Sequence, residues 1–150
     1  MTVEHGSFTI EKTIAASPAS VFRAYADADH KLDWFVPPGT GREAYSLDFR
    51  IGGRETGRFD IADGPGKGLH ENATTFLDII ENARIVYAYK MSWDGRIHSA
   101  SLATVTLAPT EAGCRLTITE QGAFFAPSDG PEMRQGGIAA QIDALAATFV

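Results

Sequence analysis

The last twenty residues of the chain decide the fold. Residues 131–150 read PEMRQGGIAAQIDALAATFV. Large apolar side chains recur at Ile138, Ile142, Leu145 and Phe149, at the intervals of three and four that place them on one face of a helix. A proline followed by a glutamate suits a first helical turn, and the many alanines favour helix while adding little bulk. The pattern predicts a C-terminal helix over 131–150 with one buried stripe.

Working back from this helix, most of the chain has the pattern of strands and turns. Two short helices, the first starting at Ser17-Pro18 and the second covering 29–35, follow the first strand. Connections between the later strands are too short for parallel crossovers. Apolar and polar residues alternate in seven segments, 8–14, 45–51, 55–61, 74–80, 85–93, 98–107 and 114–121. The sequence predicts an α+β fold in which a curved seven-stranded antiparallel sheet wraps around the C-terminal helix, with two short helices between strands 1 and 2.

Length, charge and cysteine content limit the class of function. A chain of 150 residues, 44% apolar and 21% charged, indicates a single globular domain over 1–150. The net charge of −6 and the absence of a basic run argue against nucleic acid as a partner. Without a secretory signal or a long apolar run, we expect a cytoplasmic protein and no membrane insertion. Cys114 is the single cysteine, which excludes an intramolecular disulfide. A homodimer is compatible with these features.

Five short motifs, spread along the chain, resemble one known family. They are Ile14-Ala15-Ala16-Ser17-Pro18 before Val21-Phe22, Trp34-Phe35, Asp48-Phe49-Arg50-Ile51-Gly52-Gly53, Arg84-Ile85-Val86-Tyr87, and Leu116-Thr117-Ile118-Thr119-Glu120-Gln121-Gly122. The chain resembles the START-like, helix-grip superfamily, also called SRPBCC. Within it, the chain is similar to the homologues of the activator of heat-shock protein 90 ATPase, a polyketide-cyclase-like family. The chain departs from that family at Gly137, where relatives tend to carry tryptophan.

The resemblance implies a sheet that grips the helix and leaves an elongated hydrophobic cavity between them. It does not imply one reaction, because members of the superfamily include lipid carriers, cyclases and partner-binding domains.

One strand carries the strongest candidate for a ligand-contact surface. If its alternate residues Ile85, Tyr87, Tyr89, Met91 and Trp93 share the concave face, they form an aromatic and sulfur-containing wall suited to an apolar or aromatic ligand. The same pattern also fits a completely filled core. The predicted ligand-contact residues are Trp34, Phe35, Phe49, Phe59, Tyr87, Tyr89, Met91, Trp93 and Ile138.

Three polar residues are candidates for catalysis, namely Glu120, His98 and Arg50. Glu120 has the parity of the apolar residues of its strand, so it is expected to point inward, where a buried carboxylate needs a partner. Arg50, Arg54 and Arg58 are the available cations. A pair formed by Glu120 and one of these arginines has three possible roles. It could be structural, it could orient the polar end of a ligand, or it could act as acid and oxyanion partner in an aldol-type cyclisation. His98 could serve as a general base or be an ordinary strand histidine.

No metal and no cofactor are predicted, because the histidines and the cysteine lack the spacing of zinc motifs and no nucleotide-binding fingerprint is present. Three hypotheses follow, in order of preference. The first is binding of a small hydrophobic or aromatic molecule between the sheet and the C-terminal helix. The second is a cofactor-independent enzyme of the cyclase or dehydratase kind. The third, implied only by the resemblance, is modulation of a chaperone ATPase.

Overall fold

A computed structural model describes residues 2–128 and 130–149 of the protein. The strands are β1 (Val3–Ile14), β2 (Tyr45–Leu47), β3 (Arg54–Ile61), β4 (Gly68–Ile80), β5 (Arg84–Trp93), β6 (Arg96–Thr110) and β7 (Gly113–Phe125). The helices are α1 (Pro18–Ala26), α2 (Ala28–Phe35) and α3 (Pro131–Ala147). These elements confirm the predicted α+β fold, including two short helices between the first two strands.

The seven strands form one antiparallel sheet in the order β1-β7-β6-β5-β4-β3-β2. Strands β3 to β7 follow one another through hairpins, whereas β1 pairs along its whole length with β7 and closes the far side. The turn between β5 and β6 is Asp94-Gly95, with φ values of 49° and 79°, the left-handed pair that a two-residue hairpin requires. Short local connections therefore account for most of the strand order.

Strand β2 is shorter than predicted. The alternating pattern suggested a strand over 45–51, but the strand ends at Leu47 and Ile51 is 59% exposed. A tight turn replaces the end of the predicted strand, because the Gly53 amide donates to the Arg50 carbonyl and a Cβ on Gly53 would lie 2.1 Å from the Asp48 carbonyl oxygen. Burial still alternates from Tyr45 through Leu47 to Phe49, and Ile51 is the residue that departs from the predicted parity.

Helix α3 packs on the concave face of the sheet. Its buried residues are Ile138, Ile142 and Leu145, and Phe149 is partly buried just beyond its end. These are the four residues of the predicted stripe. The helix ends at Ala147, three residues before the predicted end, and residue 150 lies outside the described part of the chain. Within residues 2–128 and 130–149, none of the helices has the length and apolar character needed to cross a membrane.

Candidate ligand-binding cavity

A cavity of about 760 Å³ lies between the concave face of the sheet and α3. Strands β3 to β7 supply one wall, α3 supplies the opposite wall, and the end of α2 with the following Pro37-Pro38 covers one side. The indole of Trp34 donates a hydrogen bond of 3.1 Å to the Ala24 carbonyl, and the Gln141 amide donates one of 2.7 Å to the Phe35 carbonyl. These two bonds tie the end of α2 to α1 and to α3. A sheet, a helix and a short helix thus enclose the space.

Eight of the nine predicted ligand-contact residues line this cavity. Tyr87, Tyr89, Met91 and Trp93 alternate along β5 and all face it, as strand parity requires. The other four are Trp34, Phe35, Phe59 and Ile138. Their position on the cavity wall is established, whereas their contact with a ligand stays a prediction.

Phe49 is the exception and lies in the core instead. Its ring packs edge-on against Phe22 and Phe76, with ring centroids 5.5 Å and 5.1 Å away. Phe49 stays on the inward side of the segment, with Tyr45 and Leu47, but beyond the end of β2 it lies between α1 and β4. Phe49 therefore supports the fold and does not line the cavity.

An aromatic stack closes one end of the cavity across three strands. His70 is directly opposite Phe59 on β3 and Trp93 on β5, and it stacks on both rings with centroid distances of 5.3 Å. His70 Nε2 lies 2.6 Å from the Gly66 carbonyl oxygen, and the Trp93 indole donates to the Lys67 carbonyl at 2.9 Å. These bonds hold the turn between β3 and β4 beside the stack. All three rings are half-buried, so a flat apolar surface faces the cavity at this end.

A polar cluster lies behind the middle of the β5 wall. The Tyr89 hydroxyl lies 2.8 Å from each carboxylate oxygen of Glu120. Arg134 of α3 donates to the Tyr89 hydroxyl at 2.9 Å and to the Ser99 hydroxyl at 2.7 Å, and its Nη1 is 3.7 Å from Glu120. Arg134 lines the cavity, and Glu120 is 1% exposed. The cluster fixes the start of α3 to the sheet and brings one guanidinium to the cavity.

The cation that pairs with Glu120 is not one of those predicted. Arg50, Arg54 and Arg58 were the expected candidates, but the partner is Arg134. Arg134 precedes Ile138 by four residues and therefore shares its helix face. The spacing of four residues from Ile138 therefore indicated, in the sequence itself, that Arg134 faces the sheet and could pair with Glu120.

The three predicted catalytic residues do not converge. His98 is 9% exposed and lines the cavity, and Glu120 lies behind Tyr89 and Arg134. Arg50 is outside the cavity, because its side chain is 71% exposed and pairs with Asp48 at 2.8 Å. Among the described residues, no three His, Cys, Asp or Glu side chains are grouped so that they could hold a metal ion.

Burial shifts the acid–base behaviour of the polar cluster. It raises the pKa of Glu120, while the hydrogen bond from Tyr89, the charge of Arg134 and the nearby Ser101 hydroxyl oppose that rise. Burial and the neighbouring Glu120 also raise the pKa of Tyr89. Tyr89 therefore stays a protonated donor at neutral pH.

Replacing Arg134 by methionine is expected to lower the free energy of unfolding by about 1.5–3 kcal/mol at pH 8, and by less at pH 5. A carboxyl whose pKa is raised on folding contributes stability below its unfolded pKa and loses it as pH rises through its folded value. Since Arg134 lowers the pKa of Glu120, its removal raises the folded-state pKa further, so the loss of stability extends to higher pH and is larger at pH 8 than at pH 5. Urea denaturation at the two pH values measures the difference. The double variant Arg134→Met/Glu120→Gln should lack the extra pH dependence, and an equal loss at both pH values in the single variant would contradict the assignment.

A buried ion pair, not foreseen from the sequence, lies beside the cavity wall. Lys31 of α2 is 2% exposed and pairs with Glu55 of β3, which is 1% exposed and also accepts a hydrogen bond from the Tyr45 hydroxyl. The Lys31 Nζ also lies near four ring centroids, at 4.4 Å from Phe35, 5.5 Å from Tyr25, 5.8 Å from Phe76 and 6.0 Å from Trp34. This cluster anchors the helix that carries Trp34 and Phe35 to the cavity.

Signals for this pair were present in the sequence. Lys31 precedes Trp34 and Phe35 by three and four residues, which places it on their helix face. Glu55 has the parity of Phe59 on the inner face of β3. A charge on a buried face calls for an opposite charge nearby.

Comparison with known proteins agrees with this architecture. Residues 15–150 match the model of the family described as Activator of Hsp90 ATPase homolog 1-like protein. The solved structure of protein Mll3558 from Rhizobium loti is 41% identical, with 98% of this chain and 99% of that chain covered and a TM-score of 0.87. A protein from Rhizobium leguminosarum is 35% identical, with coverages of 97% and 95% and a TM-score of 0.87.

A more distant structure shares the fold alone. Protein CV1439 from Chromobacterium violaceum is 24% identical, with coverages of 95% and 96% and a TM-score of 0.76. No curated protein matches the chain. Because the family model spans nearly the whole chain, and the sheet grips the C-terminal helix as that resemblance implied, the chain belongs to the Activator of Hsp90 ATPase homolog 1-like family.

Proposed function

We propose that the protein binds a small hydrophobic or aromatic molecule in the cavity between the sheet and α3. The observation that carries the proposal is the cavity itself, about 760 Å³ in volume, enclosed mainly by aromatic and aliphatic side chains. Sites for small organic ligands typically measure about 300–1,000 Å³ and combine an apolar lining with a few polar groups. This cavity has both features.

The arrangement of the wall favours an elongated ligand with at least one planar ring. The Phe59–His70–Trp93 stack offers a flat surface at one end. Tyr87 lies six residues from Trp93 along β5, or about 20 Å at 3.3 Å per residue. Arg134 reaches the cavity between these ends. A ligand that spans this length would contact rings at both ends and one cation in the middle.

We expect the purified protein to bind the fluorescent probe N-phenyl-1-naphthylamine saturably, at about one molecule per chain, and to release it when hydrophobic competitors are added. Native mass spectrometry of the protein as purified would show any molecule that is retained. Displacement by apolar and aromatic compounds, but not by sugars or nucleotides of similar size, supports the proposal. A protein that binds no displaceable ligand in either measurement contradicts it.

The other two hypotheses have less support. A cyclase or dehydratase needs acid and cation groups facing one substrate, but Arg50 lies outside the cavity and Glu120 is already bound by Tyr89 and Arg134. Modulation of a chaperone ATPase rests on the family description alone. A pull-down that enriches no chaperone would count against it. A cytoplasmic location and a homodimeric state stay predictions from the sequence.

A further inference from the structure

The four tyrosines of the chain divide into two kinds. Tyr45 and Tyr89 donate their hydroxyl hydrogens to the buried carboxylates Glu55 and Glu120. Tyr25 and Tyr87 line the cavity, and neither hydroxyl has a hydrogen bond to any residue within 2–128 or 130–149. The fold therefore leaves two phenol groups inside the cavity without a protein partner.

Tyr87 lies near the start of β5, away from the aromatic stack at Trp93, and Tyr25 lines the same cavity from α1. Tyr25 is 2% exposed, and its ring meets that of Trp34 at a centroid distance of 4.8 Å. Tyr87, near the start of β5, packs against Phe76 with a distance of 6.1 Å between the ring centroids. The Tyr25 and Tyr87 rings are close, because the Lys31 Nζ lies 5.5 Å from the Tyr25 ring centroid and 5.8 Å from that of Phe76, the ring that packs on Tyr87.

The charge around these phenols selects the kind of group that they can bind. Burial raises the pKa of both hydroxyls, Glu55 raises that of Tyr25 further, and Tyr25, Tyr89, Glu120 and Glu55 raise that of Tyr87, so both remain protonated and available as donors. Lys31, whose Nζ lies 5.5 Å from the Tyr25 ring centroid, is already paired with Glu55, so it leaves no uncompensated positive charge there to attract an anion. A neutral acceptor oxygen fits both conditions.

We infer that the buried end of the cavity recognises the neutral carbonyl oxygen of an aromatic ketone or related compound, which accepts hydrogen bonds from the hydroxyls of Tyr25 and Tyr87. The inference rests on the proposed function, since it names the ligand class of that same cavity. A carbonyl oxygen has two lone pairs and can accept from two donors.

Displacement of water explains why the carbonyl would be selected. Without a ligand, the two hydroxyls can be satisfied only by water that enters the cavity, because they have no protein acceptor among the described residues. A purely apolar ligand removes that water and leaves the hydroxyls unpaired, whereas a ketone replaces the lost hydrogen bonds. We expect a preference of about tenfold for a ketone over the hydrocarbon of the same shape.

The test compares 9-fluorenone with fluorene, which differ by a carbonyl in place of a methylene group. Isothermal titration calorimetry measures both affinities for the wild-type protein and for Tyr25→Phe, Tyr87→Phe and the double variant. Wild type should prefer fluorenone about tenfold, each single variant should lose several-fold of that preference, and the double variant should bind both compounds equally. Affinity for fluorene should not fall, because the rings remain.

The matched control is Tyr45→Phe, which removes a hydroxyl outside the cavity and should keep the preference for fluorenone. Thermal unfolding of every variant confirms that it is folded. Binding of fluorene without a preference for fluorenone, or a preference that survives in the double variant, overturns the inference and leaves the proposed function standing. Failure of the wild-type protein to bind either compound, while N-phenyl-1-naphthylamine still binds, also overturns the inference alone. If none of the three compounds binds, both are overturned.

Discussion

Replacing Lys31 by methionine is expected to lower the free energy of unfolding by about 3–5 kcal/mol. Methionine keeps the length and the apolar contacts of the side chain but removes the charge. Glu55 would then remain buried with only the Tyr45 hydroxyl as a partner. An uncompensated carboxylate in a site that excludes water is costly, and the attraction of the ammonium to the surrounding rings is lost as well. Urea denaturation monitored by circular dichroism measures the change.

Two controls separate the buried charge from other effects. The double variant Lys31→Met/Glu55→Gln removes both charges and should be more stable than the single variant, because no buried ion is left unpaired. Lys12→Met breaks the exposed pair with Asp143, whose side chains are 39% and 67% exposed, and should change stability by about 1 kcal/mol or less. A loss in the Lys31 variant no larger than that of the Lys12 variant would contradict the importance of the buried pair.

The position of this pair links stability to the cavity. Lys31 lies on the same short helix as Trp34 and Phe35, which line the cavity. Glu55 and Tyr45 lie on β3 and β2, at the edge of the sheet. The pair therefore fastens the helix that covers the cavity to the edge of the sheet, in addition to the hydrogen bonds that tie the end of this helix to α1 and α3.

Most of the fold could be predicted because its signals are local. Strand parity and hairpin turns such as Asp94-Gly95 define β3 to β7, and the apolar stripe defines α3. The error at β2 has a local cause too, since the alternation that continues to Ile51 competes with a turn that Gly52-Gly53 makes possible. Periodicity alone could not decide between a strand that continues to Ile51 and a strand that ends earlier in a turn.

The cavity wall was also predictable, but its polar partners were not. Tyr87, Tyr89, Met91 and Trp93 follow from the parity of one strand. The partner of Glu120 depends instead on how α3 lies across the sheet, which brings Arg134 to Tyr89 across 45 residues of sequence. Pairing between distant elements leaves no periodic signal in the sequence. The volume between sheet and helix is likewise a result of the whole packing and is not encoded in any one segment.

A substitution at Gly137 tests most directly whether a ligand occupies the space between the sheet and α3. Gly137 lines the cavity from α3, and a Cβ at this position would have no heavy atom within 4 Å. Tryptophan is therefore expected to enter the free space near the start of the helix without a clash. Replacing glycine inside a helix also removes a penalty of roughly 0.5–1 kcal/mol relative to alanine, which offsets part of any cost.

We expect Gly137→Trp to reduce the affinity for N-phenyl-1-naphthylamine at least tenfold while the melting temperature changes by only a few degrees. The matched control is Gly136→Trp, since a Cβ there would also meet no atom within 4 Å but Gly136 does not line the cavity. That variant should bind the probe as the wild type does. If Gly137→Trp unfolds, the space beside the helix was already filled, because insertion of bulk into a packed interior typically costs about 1–3 kcal/mol or more. If it folds and binds normally, the ligand lies elsewhere. Loss of binding confined to the residue that faces the cavity would locate the ligand between α3 and the sheet.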